Sequence, residues 1–332
     1  MAEKTEPTTL GRDTSNESIL ESIKSRLGLT EDQSNLIGFG FILPNVVVFT
    51  VFMLLPVFFA VYLSFNEWSI LAQEPNWVGL ENYRDAFTPF PWENNWAALR
   101  EPTVNTWWFA LKNTVVYTIA VVPTQIYGGL TIALLLDTRI RGKKWFRAIY
   151  FLPVMVPGAV AGVMWRWHFS LPGVLNQIIA PLGLDHNWAG DPGTALFALI
   201  AIGIWIGIGF NMILFLAGLQ NIPEELYEAA RIDGASQWKR FREVPWPNLA
   251  NTTFFVIIMA IIFSFQVFGI AWVFNRGGPN YATTTAVVRI YQRAFQQGQM
   301  GLASAMSMVL FVILFVFSYY QYRLRRSEEV SY

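Results

Sequence analysis

Few side chains in this sequence could carry out covalent chemistry, and none is spaced for it. There are two histidines, His168 and His186, and no cysteine, so thiolate chemistry, disulfides and His-rich metal clusters are excluded by inventory. Gly142-Lys143-Lys144 is the nearest approach to a phosphate-cradling loop, but it lacks both the earlier glycine and the hydroxyl residue of that pattern. His168 sits at the end of an apolar stretch and His186 in a loop, which leaves no evident Ser-His pair at membrane depth. No catalytic residue, cofactor or metal is expected, and any nucleotide chemistry belongs to another chain. The polar residues inside apolar stretches are instead uncharged: Gln125, Asn211 and Gln266, with hydroxyls at Thr124, Ser264, Ser304 and Ser307. An amide in hydrocarbon must bond a neighbouring helix or line a cavity, and the sequence leaves both readings open.

The elements that position these residues follow from composition. The chain is 54% hydrophobic and 14% charged over 332 residues, a balance suited to a membrane. Net charge is zero and the pI near 6.8, so there is no broad basic surface for nucleic acid. A span needs about 20 mostly apolar residues, and six such stretches occur, near 37–65, 113–136, 148–165, 194–219, 249–273 and 300–322. The expected organisation is an N-terminal segment (1–36), a first transmembrane helix (37–65) and an external loop (66–108). A core of five further helices (109–322), with a polar loop at 220–247, and a tail (323–332) complete it. The N-terminal segment lacks a signal-peptide layout and is expected to remain. Within it Ile19, Leu20, Ile23 and Leu27 read as a short amphipathic helix, either against the membrane surface or solvated.

Lysine and arginine collect on one side of this arrangement. Sixteen of the 23 basic residues fall in the N-terminal segment, in the loops containing Arg141 and Arg240, and in the tail. Basic loops are retained in the cytoplasm, so both termini are expected there. Tryptophans such as Trp77, Trp92, Trp107 and Trp167 gather on the opposite side, either as interfacial anchors or as aids to docking an external partner. No Asp, Glu, Lys, Arg or His lies inside the spans away from their ends, which counts against proton-coupled transport. Pro44, Pro56, Pro123, Pro153 and Pro157 are expected to bend spans.

The loop at 220–247 reads as two short helices. Pro223 suits a first helical position, while Glu224 and Glu225 favour the positive helix end. Gly234 can close that helix in a left-handed conformation, Ser236 can cap the next, and Pro245 limits it. Helical spacing puts Leu226, Ala229 and Ala230 on one face, continued by Asp233.

Glu228-Ala229-Ala230, Gly234 and Val244-x-Trp246-Pro247 resemble the EAA loop of ABC importer permeases. Val244 and Trp246 stand where that pattern usually has isoleucine and leucine. Further stretches, Pro153-x3-Pro157 followed by Trp165 and Phe169, Gly277-Gly278-Pro279-x2-Ala282-Thr283-Thr284, and Tyr291-x3-Phe295 leading into Gly301-x2-Ser304-Ala305, are similar to the carbohydrate-uptake branch. The external Trp77-Val78-Gly79-Leu80-Glu81-Asn82-Tyr83 is similar to maltose- and glycerol-phosphate-type first permeases. The resemblance implies an all-α, six-helix, type I (MetI-like) permease of the cell membrane without enzymatic activity of its own. Implied partners are a second permease subunit in a heterodimer, two ABC ATPase subunits, an extracytoplasmic sugar-binding protein and membrane lipid. Glu228, Ala229, Ala230, Asp233, Gly234 and Pro247 would form the ATPase-coupling element. Sugar recognition combines aromatic faces with amides and hydroxyls, and Trp205, Asn211, Phe265 and Gln266 are the expected path residues. A non-sugar ABC permease and an ion-coupled secondary transporter are the competing readings.

Overall fold

Hydrocarbon offers no water to satisfy peptide groups, so an apolar chain crosses it as helices that bond internally. The computed structural model describes residues 31–329, apart from residues 70, 72, 73, 95, 104 and 139; the amphipathic helix expected over residues 19–27 lies outside them. Among the described residues five helices are long and apolar enough to span: Gly40–Ser64, Thr106–Asp137, Ala195–Gln220, Ala250–Asn275 and Met300–Arg323. A sixth crossing comes from a pair of helices bent by 99°.

The chain divides into two compact units, Met1–Ala60 and Val61–Tyr332. In the first, α1 (Glu31–Phe49) passes through a π turn at Thr50–Leu54 into the start of α2 (Leu55–Ser64), whose last turn belongs to the second. Pro56 lacks the N–H that would bond the Phe52 carbonyl, and a widened turn accommodates such a gap.

In the second unit, β1 (Asn66–Glu67) and β2 (Asn76–Trp77) form a small antiparallel hairpin, followed by α3 (Glu81–Phe87). Asn82 of α3 donates to the carbonyls of Ser64 and Asn66 at 3.1 and 2.9 Å, fastening this segment. The long helix α4 (Thr106–Asp137) starts within the end of the expected external loop. Asn105 causes this: its side-chain oxygen accepts from the backbone N–H of Trp107 and Trp108 at 2.9 and 3.2 Å, an N-cap. Pro123 is carried inside α4 without ending it.

The expected third span is not a straight crossing. Its two halves, α5 (Lys143–Met155) and α6 (Gly158–His168), meet at Val156-Pro157, and Pro157 cannot donate to continue the helix. The short α7 (Val174–Ile179) leads to α8 (Ala195–Gln220), then α9 (Glu224–Ile232) and α10 (Gln237–Glu243). The fifth crossing is also broken, between α11 (Ala250–Phe265) and α12 (Gly269–Asn275), with no proline at the break. The chain continues through α13 (Ala286–Tyr291) and a π turn at Gln292–Gln296 into α14 (Met300–Glu329).

The core is centred on the seam between α4 and α8, where Tyr117 and Val121 meet Leu199 and Ile202, and Leu130 meets Met212 and Phe215. Small residues allow the backbones to approach. A Cβ at Gly129 would lie 2.8 Å from Asn211 Cβ and 2.9 Å from the Met212 nitrogen. The half-helices α6 and α12 pack on each other in the same way, Gly158 and Gly162 lying against Ile270 and Phe274. Both helix breaks are thereby brought together.

Candidate functional site

A cavity of about 490 Å3 opens beside the two breaks. Val154 and Gly158 flank the bend between α5 and α6, while Val267, Phe268, Gly269 and Ile270 come from the break between α11 and α12. The remaining wall is helical: Tyr117, Val121 and Gln125 from α4, Gly203, Ile206, Gly207, Phe210 and Asn211 from α8, and Ala260, Phe263 and Ser264 from α11. Its polar groups are few. Gln125 donates to the Gly203 carbonyl at 2.8 Å, so this amide both ties α4 to α8 and lines the cavity. The Ser264 hydroxyl donates to the Ile261 carbonyl at 2.9 Å and is hydrogen-bonded to Thr118 Oγ1 at 3.0 Å. Asn211 is 3% exposed and its Nδ2 has no partner. The wall contains no Asp, Glu, Lys, Arg or His. Such a surface suits an uncharged solute with hydroxyls, because an ion entering it would lose its hydration without a counter-charge.

Of the expected path residues, Asn211 borders this cavity, and Trp205, Phe265 and Gln266 do not. Trp205 packs edge-on against Trp165 at 5.4 Å. Phe265 packs against the cluster of Ala286, Met306 and Leu310, and Gln266 is an exposed residue at the helix break. Four aromatic rings stand on the wall, Tyr117, Phe210, Phe263 and Phe268, and of these Phe210 and Phe263 lie 6.3 Å apart and nearly perpendicular. Gly203, Gly207, Phe210 and Asn211 recur at helical spacing, as do Ala260, Phe263, Ser264 and Val267.

The second candidate element is the loop that follows α8. Pro223 stands one residue before α9 rather than inside it. Gly234 has φ 69°, and the turn is closed by Ala235 N–H to the Ala230 carbonyl and Gly234 N–H to the Arg231 carbonyl, both 3.1 Å. This is a Schellman C-cap. Ser236 then caps α10 by accepting from Lys239 N–H at 3.3 Å. Ala230 is buried, whereas Leu226, Glu228, Ala229, Asp233 and Pro247 are exposed, so the expected shared face is split: Ala230 turns inward and the others turn outward. Ile232 and Trp238 are 86% and 72% exposed.

The inner side of this loop is anchored. Phe241 packs on the cluster containing Leu216, Leu219 and Leu249, and Val244 and Pro245 are buried. Burial, and then the nearby Asp137 at the end of α4, hold the Tyr227 phenol above its ordinary value. The loop thus packs against the end of α8, the residue before α11 and the last turns of α4.

A model of the family described as binding-protein-dependent transport system inner membrane component matches residues 125–328. A probable ABC transporter permease protein, YesP of Bacillus subtilis, is 34% identical over 299 residues, covering 89% of this chain and 91% of the relative. The trehalose/maltose transport system permease protein MalF of Thermococcus litoralis is 33% identical over 284 residues, covering 85% and 91%. The multiple sugar-binding transport system permease protein MsmF of Streptococcus mutans is 31% identical over 295 residues, covering 88% and 96%. Among solved structures, a chain of a bacterial ABC transporter involved in the import of the acidic polysaccharide alginate has the same fold, with a TM-score of 0.74, 19% identity, and coverage of 93% and 98%.

Proposed function

The chain belongs to the binding-protein-dependent transport system inner membrane components, and from that premise we propose that it passes a neutral sugar, mono- or oligosaccharide, through the cavity beside the helix breaks. Membership makes it a multi-pass permease subunit of an ABC importer. The observation that carries the sugar reading is its relation to the trehalose/maltose and multiple sugar permeases over 85% and 88% of its length. The cavity agrees: its wall presents four aromatic rings, the amides of Gln125 and Asn211, the hydroxyls of Tyr117 and Ser264, and no charged side chain.

The energy comes from two separate ABC ATPase subunits seated on the loop of α9 and α10. Leu226, Ala229 and Asp233 form the contact face, with Glu228 beside them, and Gly234 sets the angle between the helices. That loop and both termini lie in the cytoplasm, in keeping with the distribution of basic residues. A second permease subunit supplies the other half of the path, and an extracytoplasmic binding protein delivers the sugar. ATP-driven closure of the ATPases moves the loop, and the broken helices α5–α6 and α11–α12 change the access to the cavity.

The test is uptake of radiolabelled oligosaccharides into vesicles holding the complete importer. Asn211→Leu keeps the branching of the side chain and removes the unpartnered amide, and one lost hydrogen bond to a solute hydroxyl is worth about 1 kcal/mol. Uptake is expected to fall roughly five- to tenfold while membrane yield is unchanged. Undiminished uptake in that variant would remove the cavity from the path. Wild-type uptake without ATP, driven by an ion gradient, would overturn the importer reading itself.

A further inference from the structure

The end of the bundle remote from the loop of α9 and α10 holds a pair of arginines that the transport path does not use. Arg289, in α13, is 4% exposed, and Arg293 follows it one turn later, half-buried. Both are held by neutral amides. Arg289 Nη1 donates to Gln292 Oε1 at 3.4 Å, and Gln292 Nε2 in turn donates to the Arg276 carbonyl at 3.1 Å. Arg293 Nη1 donates to Gln297 Oε1 and Gln299 Oε1 at 2.9 and 2.7 Å. The Nε of each guanidinium is left with no acceptor, and neither arginine has an ion-pair partner among the described residues.

Two guanidiniums this close and this poorly solvated repel each other. Burial, and then the like charge of Arg293, pull Arg289 down to about 10, with Tyr281 offsetting part of this. Both stay charged at neutral pH, and amide acceptors alone leave two positive charges without a counter-charge in a partly dry setting. The site is nevertheless rigidly built. Asn113 of α4 donates to the carbonyls of Tyr281, Ala282 and Thr284 at 3.2, 3.2 and 3.1 Å. Thr114 accepts from the N–H of Ala286, the first residue of α13, at 2.8 Å. Asn280 and Tyr281 are held at φ 45° and 60°, which non-glycine residues seldom adopt.

We propose that Arg293, backed by the buried charge of Arg289 and with Tyr281 beside them, is a receptor for a carboxylate, supplied by an acidic side chain of the extracytoplasmic binding protein. The pair demands an anion, and a guanidinium fork matches a carboxylate geometrically. Exposed aromatic rings flank it, Phe295 at 61% and Tyr281 at 39%, and arginine with tyrosine and phenylalanine is the composition of an interface centre. Its position assigns the partner. α8 leads into the loop of α9 and α10, α11 returns from it, and the segment after α12 lies at the opposite end, where Met300 N–H bonds the Trp68 carbonyl at 2.9 Å. The inference rests on the cytoplasmic placement of that loop proposed above.

The experiment measures uptake by the complete reconstituted importer as a function of the concentration of its sugar-loaded binding protein. Arg293→Glu is chosen because Arg293 is only half-buried and its reversal spares the interior. The concentration for half-maximal uptake is expected to rise about tenfold or more, since close charge pairs across interfaces couple by 1.4 kcal/mol or above. A reversal of one acidic surface residue of the binding protein, found by scanning, restores the wild-type value. Added salt weakens the wild-type response and not that of the variant. Arg84→Glu, an exposed reversal on α3, stays within about twofold of wild type. An unchanged half-saturating concentration in Arg293→Glu overturns the proposal. Loss of the second permease on purification of that variant also overturns it, by giving the carboxylate to that subunit. A wild-type importer indifferent to any external protein would instead sink the importer reading on which the inference stands.

Discussion

Replacing Gly234 with valine is expected to cut uptake by about tenfold or more while the protein still inserts in the membrane at wild-type yield. The reason is torsional and not steric. No atom lies within 4 Å of where a Cβ would stand at Gly234, so a side chain has room. What a β-branched residue cannot accept is φ 69°, and the left-handed region costs an ordinary L-residue about 1–2 kcal/mol, more when the side chain is branched at Cβ. If the turn relaxes, it loses the two 3.1 Å bonds that close α9 and fix its angle to α10. The contact face of Leu226, Ala229 and Asp233 then no longer meets an ATPase while the anchored side of the loop stays in place. Asn tolerates this conformation, so Gly234→Asn is expected to keep most of the uptake, whereas a purely spatial role for glycine would make it as damaging as valine. Wild-type uptake by Gly234→Val in reconstituted vesicles would contradict the coupling role.

That loop is legible in the sequence because every signal in it is local. Gly234, Ser236 and Pro245 each act within a turn of their own position, and the structure has a left-handed residue, a cap and a helix boundary there. The bend at Pro157 is visible for the same reason. The break between α11 and α12 is not, since no proline marks it and the residues packed against α12 are Gly158 and Gly162, remote in sequence. The cavity wall is harder still. α8 is apolar on all sides, so its sequence carries no amphipathic phase to say which face looks inward, and the expected Trp205 falls on the core side while Phe210 and Asn211 face the cavity. Arg289 reads as an ordinary loop arginine. The segment before it is tethered by Asn113, more than 160 residues away, a contact its own neighbourhood in the sequence does not announce.

Gly209→Val is expected to have the largest effect on folding, with little protein recovered in mild detergent and none competent for uptake. Gly209 lies where α8 passes under α5, and a Cβ there would collide with the Tyr150 carbonyl oxygen and approach the Tyr150 carbonyl carbon at 3.0 Å and Phe151 Cα at 3.3 Å. These are backbone atoms of a helix and cannot swing aside as the end of a side chain can. The two helices must separate, which opens the packing of Phe151 against Phe215 and Leu216 and displaces Val154, a wall residue of the cavity, next to the Pro157 bend. Overpacking of this kind costs about 1–3 kcal/mol or more. The informative comparison is Gly128→Ala. A methyl at Gly128 would meet only the side chain of Ile208, its Cδ1 at 3.1 Å, which can change rotamer, so this variant is expected to melt within a few degrees of wild type. Thermal unfolding of both variants in the same detergent separates the cases: if Gly209→Val were as stable as Gly128→Ala, the close crossing of α5 and α8 would not be what holds the bent helix beside the cavity.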